Sequence, residues 1–530
     1  MRQTFIFLYC LFSVFFSITQ LAAAPTSQSL KLSAHKAQQL PFSGNKEEYL
    51  IVELDASQPV QAQILDVQGK VLREFAPQRG TQSLHLLLTG QEQQLTLQSS
   101  SATTVKVSYS ARYQQQQQKD ETPEEPLLQP VYAAAKAGQD WQAQWQQLKQ
   151  RGVPLISKLS DEQYRVTFVY QGAKRNVRLL GGPSNDHDWL TPLSGTDLWY
   201  RSYQVPATAR LSYKLAPDVP QINASARAQR VAILASAQRD PLNPNWFPLT
   251  AKDIYQQSSV LALPGAPAQP GSEQNVPLSG ETFSIEFASK LLANSRRIDI
   301  YQSRNYQPGG AGNIRLIAFD GPRYQQQINT PAIVEYLTEK GLIPPTQLIL
   351  IDPIDNRVRA AELPDNPLFG RMLTEELLPM LDQRFNTRFD AEHTVLTGSS
   401  FGGLATLQLG WRYPQVFGRL IAKSPSLWWD NRPNAEAQGS YLVTERFLAS
   451  PKLPLQIFIS AGIYEAAHGG LGDKGILDGS RNLKDVLRAK GYPVMYREYA
   501  AGHDYLAWRG VLADGLIALF QPPEANATGQ

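Results

Sequence analysis

Thr394-Val-Leu-Thr-Gly-Ser-Ser-Phe-Gly-Gly-Leu404 is the stretch on which the fold turns. Thr394 to Thr397 is a short apolar, β-branched run that reads as a strand, and Leu404 to Trp411 reads as a helix. Between them Gly398-Ser-Ser-Phe-Gly402 supplies G-x-S-x-G in the strand–turn–helix setting that the motif requires, and the pentapeptide occurs once in the sequence. The spacing selects Ser400 and leaves Ser399 as the variable position. A tight turn of this kind lifts Ser400 Oγ above the sheet at a helix N-terminus. The competing reading is a purely structural Gly/Ser turn.

The neighbouring sequence supports the sheet. Ile298–Ile300, Ile314–Phe319, Leu348–Ile351 and Leu455–Ile459 are apolar β-runs, and helix-like stretches such as Phe369–Arg384 lie between them. That alternation predicts an α/β domain over 277–525 with a mostly parallel sheet, of the α/β-hydrolase type. Upstream, Tyr49–Leu54, Val60–Leu65, Leu84–Leu88 and Val105–Tyr109 predict a β-sandwich at 30–112. Gln114–Pro130 (QQQQQKDETPEEPLLQP) lacks an apolar period and is expected to be a linker, within a linker and helix start at 113–139. Ala133–Arg151, with Trp141 and Trp145, predicts one amphipathic helix. Tyr164–Tyr170 and Tyr200–Val205 predict a second β module, ending in a Pro- and Gly-rich connector at 241–275, so that module and connector together span 140–272.

Composition narrows the class further. The chain has 530 residues, 50 Lys and Arg against 47 Asp and Glu, and a formal net charge of +3. That balance lacks the basic excess of a nucleic-acid coat, so no nucleic-acid partner is expected. Met1-Arg2, the apolar run Phe5–Ile18 and the small residues Ala22-Ala23-Ala24 read as a signal peptide over 1–24. Its apolar run is shorter than a bilayer span needs, so no membrane span is expected after cleavage. The single cysteine, Cys10, lies inside that run, and the mature chain would have neither a disulfide framework nor a thiol nucleophile.

A serine hydroxyl needs an adjacent base. Only His468 and His503 follow Ser400, and His503, in the loop Ala501-Gly-His-Asp-Tyr505 before the last helix, is the expected base. Glu465, after the strand Leu455–Ile459, is the favoured acid, with Asp473, Asp478 and Asp504 as competitors. The oxyanion hole is expected to use the Phe401 N–H and a second N–H from Gly321 or Arg323, since Pro322 has none.

These residues sit among longer matches. Asn294-Ser-Arg-Arg297, Leu350-Ile-Asp-Pro-Ile-Asp355, Arg359-Ala-Ala-Glu-Leu-Pro-Asp-Asn366, Ser424-Pro-Ser-Leu-Trp-Trp429, Ala461-Gly-Ile-Tyr-Glu465, Gly502-His-Asp504 and Asp240-Pro-Leu-Asn-Pro-Asn-Trp246 are the most telling. Over roughly 140–525 the chain resembles the iron-enterobactin (enterochelin) esterases. The resemblance implies an immunoglobulin-like, early-set module before an α/β-hydrolase domain, and hydrolysis of the serine ester bonds of a cyclic triscatecholate trilactone. It implies Ser400 as nucleophile, His503 as base and Glu465 as acid, and a catecholate siderophore as the small-molecule partner. It also implies no cofactor and no protein metal site, iron arriving only with the substrate. Arg297, Arg323 and Arg359, with Trp428 and Trp429, are the expected contacts for a trianion with aromatic faces. The exported start points to a periplasmic location, and 30–112 to a protein or glycan partner. An exported feruloyl or acetyl carbohydrate esterase and a non-catalytic siderophore-binding protein are the alternatives.

Overall fold

A computed structural model describes residues 27–41, 46–113, 123–184, 187–433, 441–466 and 475–521. The expected signal peptide, His468, Asp473 and most of the Gln-rich stretch lie outside them. The chain packs as two compact units, one of residues 1–69 with 75–114, the other of 70–74 with 115–530.

In the first unit β1 (Ser27–Leu32), β2 (Gln38–Pro41), β3 (Tyr49–Leu65), β4 (Val71–Leu87), β5 (Gln94–Gln98) and β6 (Thr103–Tyr113) form a six-stranded sheet in the order β1-β6-β3-β5-β2, with β4 also on β3. Leu50, Val52, Leu54, Val60, Ala62 and Ile64 alternate into its core. The sequence divided β3 in two at Ser57-Gln58-Pro59, but the strand runs through. Among the registers of β6 and β5, the partner changes there, from β6 (last pair Ala56) to β5 (first pair Gln61).

The linker expectation is corrected where it is described: Pro126–Leu128 is a 3₁₀ turn and Gln129–Lys136 a helix, with Leu128 and Val131 buried. The single helix expected over Ala133–Arg151 is two, because Gly138 turns left-handed (φ 68°) and the second helix restarts at Gln142.

Next come β7 (Leu155–Lys158), β8 (Gln163–Gln171), β9 (Val177–Leu180), β10 (Thr191–Pro192), β11 (Leu198–Pro206), β12 (Arg210–Pro217), β13 (Trp246–Phe247) and β14 (Ser258–Ala262). They make two antiparallel four-stranded sheets, β10-β11-β8-β7 and β13-β14-β12-β9. Phe168 and Trp199 from the first and Leu179, Leu211 and Tyr213 from the second share one core. The stretch read as connector therefore supplies two strands of its own.

The eight-stranded sheet consists of β15 (Glu281–Ser289), β16 (Asn294–Gln302), β17 (Ile314–Ala318), β18 (Thr346–Ile351), β19 (Thr394–Ser399), β20 (Arg419–Lys423), β21 (Gln456–Gly462) and β22 (Val494–Tyr499). Its order is β15-β16-β18-β17-β19-β20-β21-β22, parallel from β18 to β22 and antiparallel at β15 and β16. Every residue of β17, β18 and β19 is buried, as expected for a sheet covered on both faces. Leu396 joins the core beneath Phe369 and Phe447 while its neighbour Val395 joins that of Ile333 and Leu512, the period-two signature of a strand between two layers.

Candidate active site

Ser400, Glu465 and His503 follow the C-terminal ends of the parallel strands β19, β21 and β22. Ser400 links β19 to the helix Phe401–Arg412 and has φ 59° and ψ −121°, a backbone state that costs on the order of 1–3 kcal/mol and is kept where structure overdetermines it. The restraints are visible: Ser400 N–H donates to Lys423 O at 3.1 Å, and Leu404 and Ser426 N–H both donate to Ser400 O. Gly398 is dictated by sterics, since a Cβ there would lie 2.3 Å from the Gly402 carbonyl. Ser399 points away into the core, where its hydroxyl meets Tyr324 at 2.9 Å. Ser400, the serine that the spacing selects, is the one at the strained turn.

His503 and Glu465 come from the loops after β22 and β21. His503 Nδ1 is 2.5 Å from Glu465 Oε1, and Glu465 Oε2 accepts the Gly462 N–H at 2.6 Å. The glutamate side chain is 2 % exposed and the imidazole 39 %, so the acid is enclosed and the base faces the opening. Trp508 stands edge-on to the imidazole at 4.8 Å and anchors its own indole N–H on Ser424 Oγ at 2.9 Å. Ser400 Oγ is hydrogen-bonded to Ser426 Oγ at 3.1 Å rather than to the imidazole.

Of the rival acids among the described residues, Asp504 has another partner. Asp504 accepts the Ala507 N–H at 2.9 Å as N-cap of the last helix. Burial pushes its pKa up to about 6. Asp478 lies in the first turn of the helix Ile476–Ala489. Ties join the upstream sheets to the histidine loop: Arg210 N–H donates to Ala500 O at 3.1 Å, and Gln269 reaches Leu506 O and Arg509, each at 2.6 Å.

Phe401 and Gly321 each open a helix, so neither N–H has an intrahelical acceptor. Arg323 N–H instead donates to Asp320 O at 2.9 Å. Of the two second donors that the sequence left open, Gly321 is the one with a free direction.

The expected substrate contacts divide. Arg359 is gripped by Asp320 through two bonds of 2.5 and 2.7 Å, and Asp320 is 3 % exposed. Its guanidinium lies 5.8 Å from the Phe401 ring, next to the nucleophile. Trp428, 37 % exposed, tilts against Phe401 at 5.8 Å. Trp429 packs on the core. Arg297, on β16, pairs with Asp299 at 2.7 Å and keeps half its side chain in solvent. Sequence reasoning passed over Asp320 and Ser426 as individuals, although Ser426 lies in a quoted motif; what marks them is a partner distant in sequence.

Residues 289–519 match the esterase family model ("Putative esterase") and residues 165–272 match "Enterochelin esterase, N-terminal". The chain is 30% identical over 440 residues to the iron(III) enterobactin esterase of Dickeya dadantii, covering 76% of this chain and 97% of that protein. With the Escherichia coli K12 iron(III) enterobactin esterase it shares 30% over 394 residues, 70% of this chain and 94% of the relative. The enterobactin esterase from Shigella flexneri, solved in the presence of enterobactin, superposes with a TM-score of 0.58 at 30% identity, over 72% of this chain and 98% of that one. The ferric enterobactin esterase from Salmonella typhimurium gives 0.60 at 27% identity, over 72% and 99%. With this coverage and a mixed α/β esterase fold in common, the chain belongs to the iron(III) enterobactin esterase family.

Proposed function

We propose that the protein is a serine esterase that opens the trilactone of enterobactin-type catecholate siderophores, ferric or iron-free. The single observation that carries the chemistry is the enclosed Glu465–His503 pair, held at 2.5 Å in the loops after β21 and β22 of the sheet whose β19 leads into the strained Ser400 turn. Family membership supports the substrate class. Ser400 Oγ attacks the lactone carbonyl while His503 Nε2 takes its proton. Glu465 holds the tautomer and stabilises the imidazolium. Negative charge on the former carbonyl oxygen is met by the Phe401 and Gly321 N–H groups. His503 then protonates the departing seryl hydroxyl, and water repeats the sequence on the acyl-enzyme. The protein needs no cofactor in this scheme, and iron is cargo of the substrate.

Arg323 and Arg297 are the cations left to meet the anionic catecholates, and Trp428 is the aromatic wall. Arg359 acts beside the nucleophile through its pair with Asp320. The two sheets ahead of the catalytic domain, sharing one core, support an early-set, immunoglobulin-like reading. Residues 30–112 are read as a β-sandwich accessory domain with a protein or glycan partner. The N-terminal apolar run supports export to the periplasm, which fractionation of the full chain tests. No helix among the described residues is long and apolar enough to cross a membrane.

Mass-spectrometric product analysis after incubation with the ferric and iron-free trilactone tests the substrate. Linear trimer, dimer and monomer are expected from the native chain and none from Ser400→Ala. Turnover of feruloyl or acetyl-sugar esters without trilactone cleavage would replace this reading with the carbohydrate one. Binding without any cleavage would make the protein a siderophore-binding protein.

A further inference from the structure

Ser426 Oγ lies 3.1 Å from Ser400 Oγ, and that oxygen is its one hydrogen-bond partner among the described residues. Ser426 is 1 % exposed, so water does not offer a substitute. Its place is fixed from both sides: its N–H donates to Ser400 O at 3.1 Å, and its carbonyl accepts the Trp429 N–H at 3.0 Å. It follows β20, the strand beside the nucleophile's own. A hydroxyl so placed serves the nucleophile oxygen and nothing else.

We propose that Ser426 is a further catalytic residue, donating its O–H to Ser400 Oγ as that oxygen leaves during hydrolysis of the acyl-enzyme; this rests on Ser400 being the nucleophile. In the free protein either hydroxyl can donate. Once the acyl group is attached, Ser400 Oγ is an ester oxygen with no hydrogen, and only Ser426 can supply one to the bond. Water then attacks the acyl carbon and passes a proton to His503 Nε2. The C–Oγ bond of the tetrahedral adduct breaks, its electron pair settles on Ser400 Oγ, and the proton returns to that oxygen from His503. Negative charge grows on Ser400 Oγ before the proton arrives. An oriented donor in a dry site stabilises it there. In acylation the same donor draws electron density from the attacking oxygen, so its benefit falls on the second half-reaction.

The experiment compares the native chain, Ser426→Ala, Ser426→Cys and Ser400→Ala with p-nitrophenyl acetate. Rapid-mixing absorbance follows nitrophenol release, and intact and peptide mass spectrometry follow the acetyl adduct. Ser426→Ala is expected to lower the steady-state rate by roughly ten- to a hundredfold, the worth of a hydrogen bond to a charged group. It should also show a burst stoichiometric with protein and an adduct on Ser400. Ser426→Cys keeps the volume with a weaker donor and should fall between, which separates lost donation from lost packing. Unchanged steady-state rates, or slower rates with neither burst nor adduct, overturn the role of Ser426. Ser400→Ala must be inactive and unlabelled; an adduct at another residue would remove the nucleophile assignment itself, a distinguishable failure.

Discussion

Glu465 presents one carboxylate oxygen to His503 Nδ1 at 2.5 Å while its other oxygen holds the Gly462 amide at 2.6 Å, so both are committed before a substrate arrives. The imidazole is therefore oriented by a group that is itself locked. Glu465→Gln keeps the volume but loses the charge that steadies the imidazolium. A fall in kcat of about a thousandfold or more with KM little changed is expected. Steady-state kinetics on the trilactone check it, and a drop under tenfold would assign the acid elsewhere.

Gly462 carries a second consequence. A Cβ at this position would stand 2.2 Å from the Ala501 carbonyl oxygen, between the loops of the acid and the base. Gly462→Ala is expected to separate Glu465 from His503 and lower kcat by more than tenfold, with circular dichroism preserved. Full activity in the folded variant would show that the loops give way at no cost.

Arg359 and Asp320 form a pair whose carboxylate is 3 % exposed, and removal of one partner of such a pair costs roughly 3–5 kcal/mol. Arg359→Met should lose stability of that order, and adding Asp320→Asn should recover part of it. Arg297→Ala and Arg323→Ala should leave stability unchanged and raise KM for the ferric siderophore. Urea unfolding together with KM measurements separates the two classes.

Two carboxyls, the partly buried Asp504 and the fully buried Asp240, have pKa values raised to about 6, by desolvation first in each case. An unfolded aspartate titrates near 3.9. Between about pH 4 and 6 the folded chain thus keeps protons that the unfolded chain has lost. Their contribution to stability is most favourable below pH 4, declines as pH rises through that window, and is fully unfavourable above it. The double variant Asp504→Asn/Asp240→Asn should lose less stability than the native chain between pH 4 and pH 7 in urea titrations. Parallel curves would contradict the shifts.

The candidate catalytic residues could be named from the sequence because the proposed chemistry demands local signatures. A strained strand-to-helix turn needs glycine at Gly398, and chain order left His503 as the histidine of the last loop. The eight-stranded sheet was legible in its buried strands, which are largely apolar or β-branched, but not at β15 or β20, whose ends are polar. What escaped depends on partners far away in the chain. Nothing near Arg359 announces that Asp320 will hold it, and nothing near Trp246 or Ser258 announces pairing within the sheet that contains β12. Ser426 was visible within its motif, yet its role follows only from where β20 lies.

The ties that bring Arg210 onto Ala500 and Gln269 onto Leu506 bear on how such a gene can be divided. A fragment starting at residue 277 would carry Ser400, Glu465 and His503 and still strip the histidine loop of Arg210 and the helix after it of Gln269. The boundary between the two family segments is thus a boundary in the alignment but a poor place for a recombination joint. Shuffling either segment with a distant homologue demands matched loop contacts, so lineages should exchange the two as one cassette.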